Sequence, residues 1–274
     1  MDGIGHKRKA LVEGSENTDP NQKITSKEKL YNAGYKHLNT NNFPQAIQAF
    51  GKAAQKGHVA AALMAGQIIL RETTDEDTKV QAIAYFKMGL GKSGGGAEYL
   101  LATTTGTTEE DGFNYLRQAV RAGYAQAQND LGELYYRGEG EIDQDYEAAF
   151  QLFQKAADQD ITTAKYYLGR MLLKGEGCEK SLEEGLKLLK SIAAIDLDAV
   201  DLLASVYLEG KYGVAKHQEL GEEYLETGCL NNSQWALDYR RAHQQVRQQR
   251  NVEPSLRIAV LKRQFMRNHG LNSI

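Results

Sequence analysis

Cysteine, proline and tryptophan are scarce in this chain. Among 274 residues there are two Cys, three Pro and one Trp. Cys178 and Cys229 have no companion pair, which argues against a disulfide framework or a cysteine zinc site and predicts two buried free thiols. The six histidines form no i, i+4 pair and no HExxH set, so no metal centre is expected. Pro20, Pro44 and Pro254 leave residues 45–253 without a helix breaker. Alternating β-branched runs are nearly absent from that span, which disfavours strands. No apolar run approaches the roughly 20 residues a membrane helix needs. The opening "MDGIGHKRKALVEG" is charged and lacks the apolar stretch of a secretory signal. Together these absences predict an all-α, cytoplasmic protein with no membrane segment and no cofactor.

What the chain does have is repetition. "AQAQNDLGELYYRGEGEIDQDYEAAFQLFQKAADQDI" (125–161) matches "TTAKYYLGRMLLKGEGCEKSLEEGLKLLKSIAAIDLD" (162–198). Leu131-Gly132 aligns with Leu168-Gly169, and Gly138-Glu139-Gly140 with Gly175-Glu176-Gly177, both at an offset of 37 residues. A third copy follows, with Leu203 and Gly210 at the matching places. Each unit reads as two helices. Ala127, Leu131, Leu134 and Tyr135 fall at i, i+4, i+7 and i+8 on one stripe. Ala149, Leu152, Phe153 and Ala156 form the stripe of the second helix. Glycines end the first helix, and small residues such as Gly132 and Ala157 let the pair approach closely.

Weaker copies precede these at 29–58, 61–94 and 96–124. Taking Ala33, Ala65, Leu101, Leu131, Leu168 and Leu203 as anchors gives six helical pairs spaced 30 to 37 residues apart. One helical pair cannot bury its own apolar stripes, whereas stacked pairs share a continuous core. The expected architecture is an α-solenoid over 26–234, preceded by a polar tail (1–25) and followed by two basic helices near 233–250 and 254–268.

The units "LGELYYRGEG…DYEAAFQLFQKAADQD" and "LGRMLLKGEG…LEEGLKLLKSIAA" resemble Sel1-like repeats, relatives of the tetratricopeptide repeat. The resemblance is clearest over 125–234. It implies a right-handed solenoid of about six helix-turn-helix repeats with C-terminal capping helices. It also implies a binding role in signalling, complex assembly or host–microbe contact.

"KMGLGKSGGGAEYL" (87–100) ends like a phosphate-binding loop. A Walker loop needs a glycine five residues before Gly91, where this chain has Phe86, and it needs a preceding strand. "VQAIAYFKM" aligns instead with the second helix of a repeat. The run is therefore expected to be a flexible turn between repeats, and 87–112 the softest part of the array.

Charge is uneven. Residues 235–274 carry a net +6, residues 1–30 a net +1 and residues 31–234 a net −10. The basic C-terminal piece is expected to cap the last repeat. The other readings are a docking helix, a plug for the chain's own acidic groove, or a nucleic-acid contact using Trp235, Tyr239 and Phe265. Lys7-Arg8-Lys9 is weak evidence for a localisation patch, and the expected reading is a solvated, disordered tail.

No catalytic constellation emerges, so the expected function is that of a non-enzymatic scaffold or adaptor. If the family geometry holds, the first helix of each repeat lines the concave side. The predicted partner-binding residues are then Asn129, Glu133 and Tyr136, Tyr166 and Arg170, and Asp201 and Ser205, all read as exposed opposite the buried stripe. The expected ligand is a protein or peptide, with nucleic acid at the C-terminal helices as the alternative. The partner's identity and the oligomeric state are left unassigned.

Overall fold

The computed structural model describes residues 24–72, 75–106, 109–139 and 142–244. Among the described residues there are helices and turns but no strand. Contacts divide the chain into two compact units at Tyr124/Ala125. The expected tail, apart from Ile24 and Thr25, and the expected second basic helix near 254–268 lie outside the described residues.

In the first unit, α1 (Ser26–Asn39) packs on α2 (Phe43–Gln55), α3 (Val59–Glu72) on α4 (Glu76–Lys87), and α5 (Gly96–Thr105) on α6 (Glu110–Arg121). In the second, α7 (Ala125–Arg137) packs on α8 (Tyr146–Ala157), α9 (Thr162–Lys174) on α10 (Leu182–Ile192), and α11 (Leu197–Glu209) on α12 (Gln218–Leu230). A further helix, α13, occupies 234–244.

Local chemistry explains the boundaries. Thr25 and Glu28 form a capping box at α1, and Pro44 sits in the first turn of α2. The side chains of Asp75, Asp145, Ser181 and Asp196 each accept a backbone N–H at the start of α4, α8, α10 and α11. Gly175 and Gly210 close α9 and α11 with left-handed φ of 77° and 73°.

One contact recurs inside the pairs. In five of the six pairs the residue after the anchor is small, and a bulky side chain from the second helix packs against it. A Cβ on Gly34 would sit 2.5 Å from the Phe50 ring, and a Cβ on Gly132 would sit 3.0 Å from Phe153. Gly66 faces Phe86 in the same way, and Gly169 faces Leu189 at 3.0 Å. Phe50, Phe86, Phe153 and Leu189 are fully buried. In α11 the small residue is Ala204, which clusters with Leu225 of α12.

Gly34→Ala is expected to destabilise the protein by about 1–3 kcal/mol through overpacking, although alanine is the better helix former by about 1 kcal/mol. Phe153→Ala should cost about 3–5 kcal/mol as a cavity. Urea titration followed by circular dichroism measures both.

Candidate functional site

The first helices of the second unit carry the predicted binding residues. Tyr136, near the end of α7, is the centre of their contacts. Its ring packs among Tyr146 (5.3 Å between centroids), Tyr167 (5.4 Å) and Phe153 (6.4 Å). Its hydroxyl donates to Glu176 Oε2 at 2.7 Å and accepts from an Arg170 guanidinium nitrogen at 2.8 Å. The same guanidinium lies 5.1 Å from the Tyr136 ring centroid, a cation–π arrangement. Burial, with the Glu176 hydrogen bond adding to it, raises the Tyr136 phenol above its ordinary pKa. One cation of α9 thus reaches the hydroxyl of a tyrosine on α7. A second link runs beside it. Arg137 donates to the Tyr167 hydroxyl at 3.1 Å and pairs with Glu133 at 3.1 Å. Tyr166 packs against the core shared by α9, α10 and α11.

Three of the seven predicted residues are buried, not exposed. Tyr136 is 7% exposed because α8 and α9 close over its ring. Asn129 is 1% exposed, its amide donating to Asp130 and Glu133 within α7. Asn129 Oδ1 has no hydrogen-bond partner among the described residues. Ser205 is 4% exposed and returns its hydroxyl to the Leu202 carbonyl at 2.9 Å, which lets it enter the interior. Glu133, Tyr166, Arg170 and Asp201 are half-buried. Asp201 stands apart from the α7–α9 cluster. Its Oδ2 accepts from the Ser233 hydroxyl, and Ser233 Oγ in turn caps α13 through the Ala236 N–H.

Pattern reading missed Arg137, Tyr167, Lys174 and Glu176. Their signal was present. Arg137-Gly138-Glu139 and Lys174-Gly175-Glu176 stand 37 residues apart, and each makes an ion pair across its glycine, at 3.1 Å and 2.9 Å. Glu209-Gly210-Lys211 repeats the device with its charges exchanged, at 3.3 Å.

The "GLGKSGGG" run is a turn, but a tied one. Glu98, 6% exposed, turns its carboxylate back into the loop. Oε1 accepts from the Gly91 N–H at 2.7 Å and Oε2 from the Ser93 hydroxyl at 3.3 Å, while Ser93 Oγ accepts from the Ala97 N–H at 2.7 Å. The donors that would meet a phosphate hold the chain's own carboxylate. The loose turn expected from composition is thus pinned to the first turn of α5.

At the C-terminal side, Ala236 is fully buried beside Ala204, Leu208 and Leu225, with Trp235 and Tyr239 packed against that cluster. Arg241 pairs with Asp238 at 3.2 Å, and Arg240 approaches Glu226 at 3.9 Å. The other six basic residues of 235–274 lie outside the described residues. Both cysteines are free and half-buried, less enclosed than expected. Among the described residues no helix is long and apolar enough to cross a membrane.

A family model described as "Sel1 repeat" matches residues 125–161, 162–195 and 198–233. The chain carries three Sel1 repeats. They coincide with α7–α8, α9–α10 and α11–α12. The chain is also 28% identical over 178 residues to the chitin synthase regulator SKT5 of Saccharomyces cerevisiae, a match covering 62% of this chain and 25% of that protein. The chain thus spans about a quarter of this curated relative. Among solved structures, a Sel1 repeat protein from Oxalobacter formigenes superposes with a TM-score of 0.63 at 21% identity, covering 76% of this chain and 89% of the other. The protective antigen c5321 of uropathogenic Escherichia coli, described as displaying an SLR fold, gives 0.62 at 21% identity, with 73% and 44% covered. The fold is that of an all-α helical-repeat solenoid.

Tyr136→Phe deletes both hydroxyl bonds and leaves Arg170 and Glu176 short of a partner. It should cost about 1–2 kcal/mol by denaturant titration, whereas Arg137→Ala, at an exposed pair, should cost about 0–1 kcal/mol. Asp201 gives a pH signature. Burial raises its carboxyl above the ordinary value, against the opposing Ser233 hydrogen bond, with Asp198 adding to the rise. The folded chain therefore keeps this proton at a pH where the unfolded chain has lost it. Stability from this group is full below the unfolded value of about 4 and declines as pH rises through the native one. Asp201→Asn retains an acceptor for Ser233. It is expected to raise the melting temperature relative to the parent at pH 7 and to make little difference at pH 3.

Proposed function

We propose that the Sel1 repeats form a non-enzymatic scaffold that holds a protein partner across α7, α9 and α11. The observation that carries this reading is the cluster Glu133, Arg137, Tyr166, Tyr167 and Arg170. Tyrosine and arginine dominate the energetics of protein interfaces. Here they are half-buried or exposed, and their neighbours fix them before any partner arrives, which reduces the ordering cost of binding. Such a surface suits a folded partner or a peptide laid across successive first helices, the side read as concave from the sequence. Asn129, Tyr136 and Ser205 support that surface from within and do not touch the partner. The similarity to a protein named as a regulator of another enzyme agrees with a role exerted through protein contact.

Affinity capture from a native extract, with and without nuclease, tests the proposal. The parent chain is compared with a Tyr166→Ala/Arg137→Glu double variant whose helicity is unchanged. A protein catch that survives nuclease and falls at least about tenfold in the variant is expected, since an interface anchor contributes about 2 kcal/mol or more. A catch that nuclease removes and the variant retains would move the function to the basic C-terminal segment.

A further inference from the structure

The first helical pair is electrically unlike the rest of the chain. Between Ile24 and His58 there are five lysines, Lys27, Lys29, Lys36, Lys52 and Lys56, against one acid, Glu28. That gives +4 locally in a chain whose net charge is −3. Folding gathers three of the lysines. A cleft of about 640 Å³ between α1 and α2 is lined by Ser26, Lys29, Leu30, Lys52, Gln55 and Lys56. Among the described residues, no acidic side chain lines it. The three lysines are exposed and make no ion pair among the described residues. Lys52 and Lys56 stand at i, i+4, a like-charge spacing that weakens a helix.

The one carboxylate of this segment is already committed. Glu28 Oε2 accepts from the Thr25 backbone N–H at 2.6 Å and from the Thr25 hydroxyl at 2.9 Å. The positive field is felt at the neighbouring pair boundary. Burial and then Lys27 hold the His58 imidazole below its ordinary pKa. The segment thus concentrates cations around a recess and supplies nothing to neutralise them.

We propose that the α1–α2 cleft is a docking site for an acidic peptide segment of a partner protein, its carboxylates seated among Lys29, Lys52 and Lys56. The volume falls within the range of ligand-sized sites, roughly 300–1,000 Å³. The Ser26 hydroxyl and the Gln55 amide add neutral hydrogen-bonding groups to the wall, and Leu30 supplies an apolar surface. Lysines are flexible point charges, suited to carboxylates spaced along a chain and not to one fixed bidentate group. Nucleic acid fits less well because, among the described residues, the site offers no free ring for stacking. Tyr31 and Tyr35 pack on one another and on Phe50, and Tyr31 also covers His58 at 4.1 Å. A membrane surface fits less well because the lysines converge on a recess. This site lies in the first unit and does not depend on the scaffold face proposed for the Sel1 repeats.

The experiment is fluorescence anisotropy on the full chain with a labelled oligoglutamate of about ten residues, matched by an oligoglutamine. Three proteins are compared: the parent, Lys29→Gln/Lys52→Gln/Lys56→Gln, and a charge-matched control, Lys180→Gln/Lys187→Gln/Lys216→Gln. The expected result is oligoglutamate binding that weakens about tenfold or more in the cleft variant, by less than about twofold in the control, and steadily with added salt. The oligoglutamine should not bind. All six lysines are exposed, so melting temperatures should stay together; if the triple variant melts early, Lys52→Gln alone replaces it and should weaken binding about two- to fivefold. Equal losses in the cleft variant and the control would overturn the proposal, as would no oligoglutamate binding at low salt. So would lysine-dependent binding of phosphatidylserine vesicles or of a single-stranded oligonucleotide when oligoglutamate does not bind.

Discussion

The close approach of paired helices over one small residue is the constraint on which the rest of the structure depends. Gly34, Gly66, Gly132 and Gly169 each follow their anchor residue and each receive a ring or a leucine from the second helix. The contact fixes two quantities at once. It sets the distance between the helices, because any Cβ would meet the opposing side chain. It also sets their register, because the opposing ring or leucine is seated over that glycine. Where the small residue is Ala204, the opposing residue is again a leucine, Leu225. The opposing side chains fill the space that the small residues leave, as dense packing requires.

With each pair closed this tightly, first helices in the Sel1 repeats come within side-chain reach of each other. That proximity draws polar residues inward. Tyr136 belongs to α7, yet its hydroxyl partners lie on and just beyond α9, 34 and 40 residues further along the chain. A buried phenol is tolerated because both its donor and acceptor capacities are met, and both of the partners are charged. The half-buried Arg170 is tolerated for the same reason. The resulting face is polar and aromatic, and its own hydrogen bonds hold it in place.

This coupling explains what the sequence did and did not disclose. The helices of 125–233 were legible because their signals are local. The glycines after Arg137 and Lys174, the acids and serines at helix starts, and the 37-residue offset can all be read without knowing a neighbour. The phosphate-loop likeness of "GLGKSGGG" was also decidable locally, from Phe86 and the absent strand, although Glu98 as occupant of the loop was not. Burial of Asn129, Tyr136 and Ser205 was illegible in a single-helix stripe. A first helix in an array is covered by its own partner and by the next repeat, so its hidden arc is wider than one stripe. Comparing equivalent positions across repeats, rather than reading each helix alone, would have exposed the Arg137–Glu139 and Lys174–Glu176 pairs.

Charge plays a different part from packing in this molecule. The described residues of the second unit hold 21 acidic and 12 basic side chains, while the first helical pair is basic. The ion pairs that do form are mostly exposed and short in sequence range, so each adds little to stability. The fold therefore rests on the glycine–ring contacts and the helix caps, and it does not require the charge pattern. A pattern that the fold does not require, yet which separates the two signs by segment, shapes the long-range field around the molecule, and such fields set association rates and discriminate between surfaces. Packing fixes where the side chains stand, and segregated charge sets the sign of the field in front of each segment.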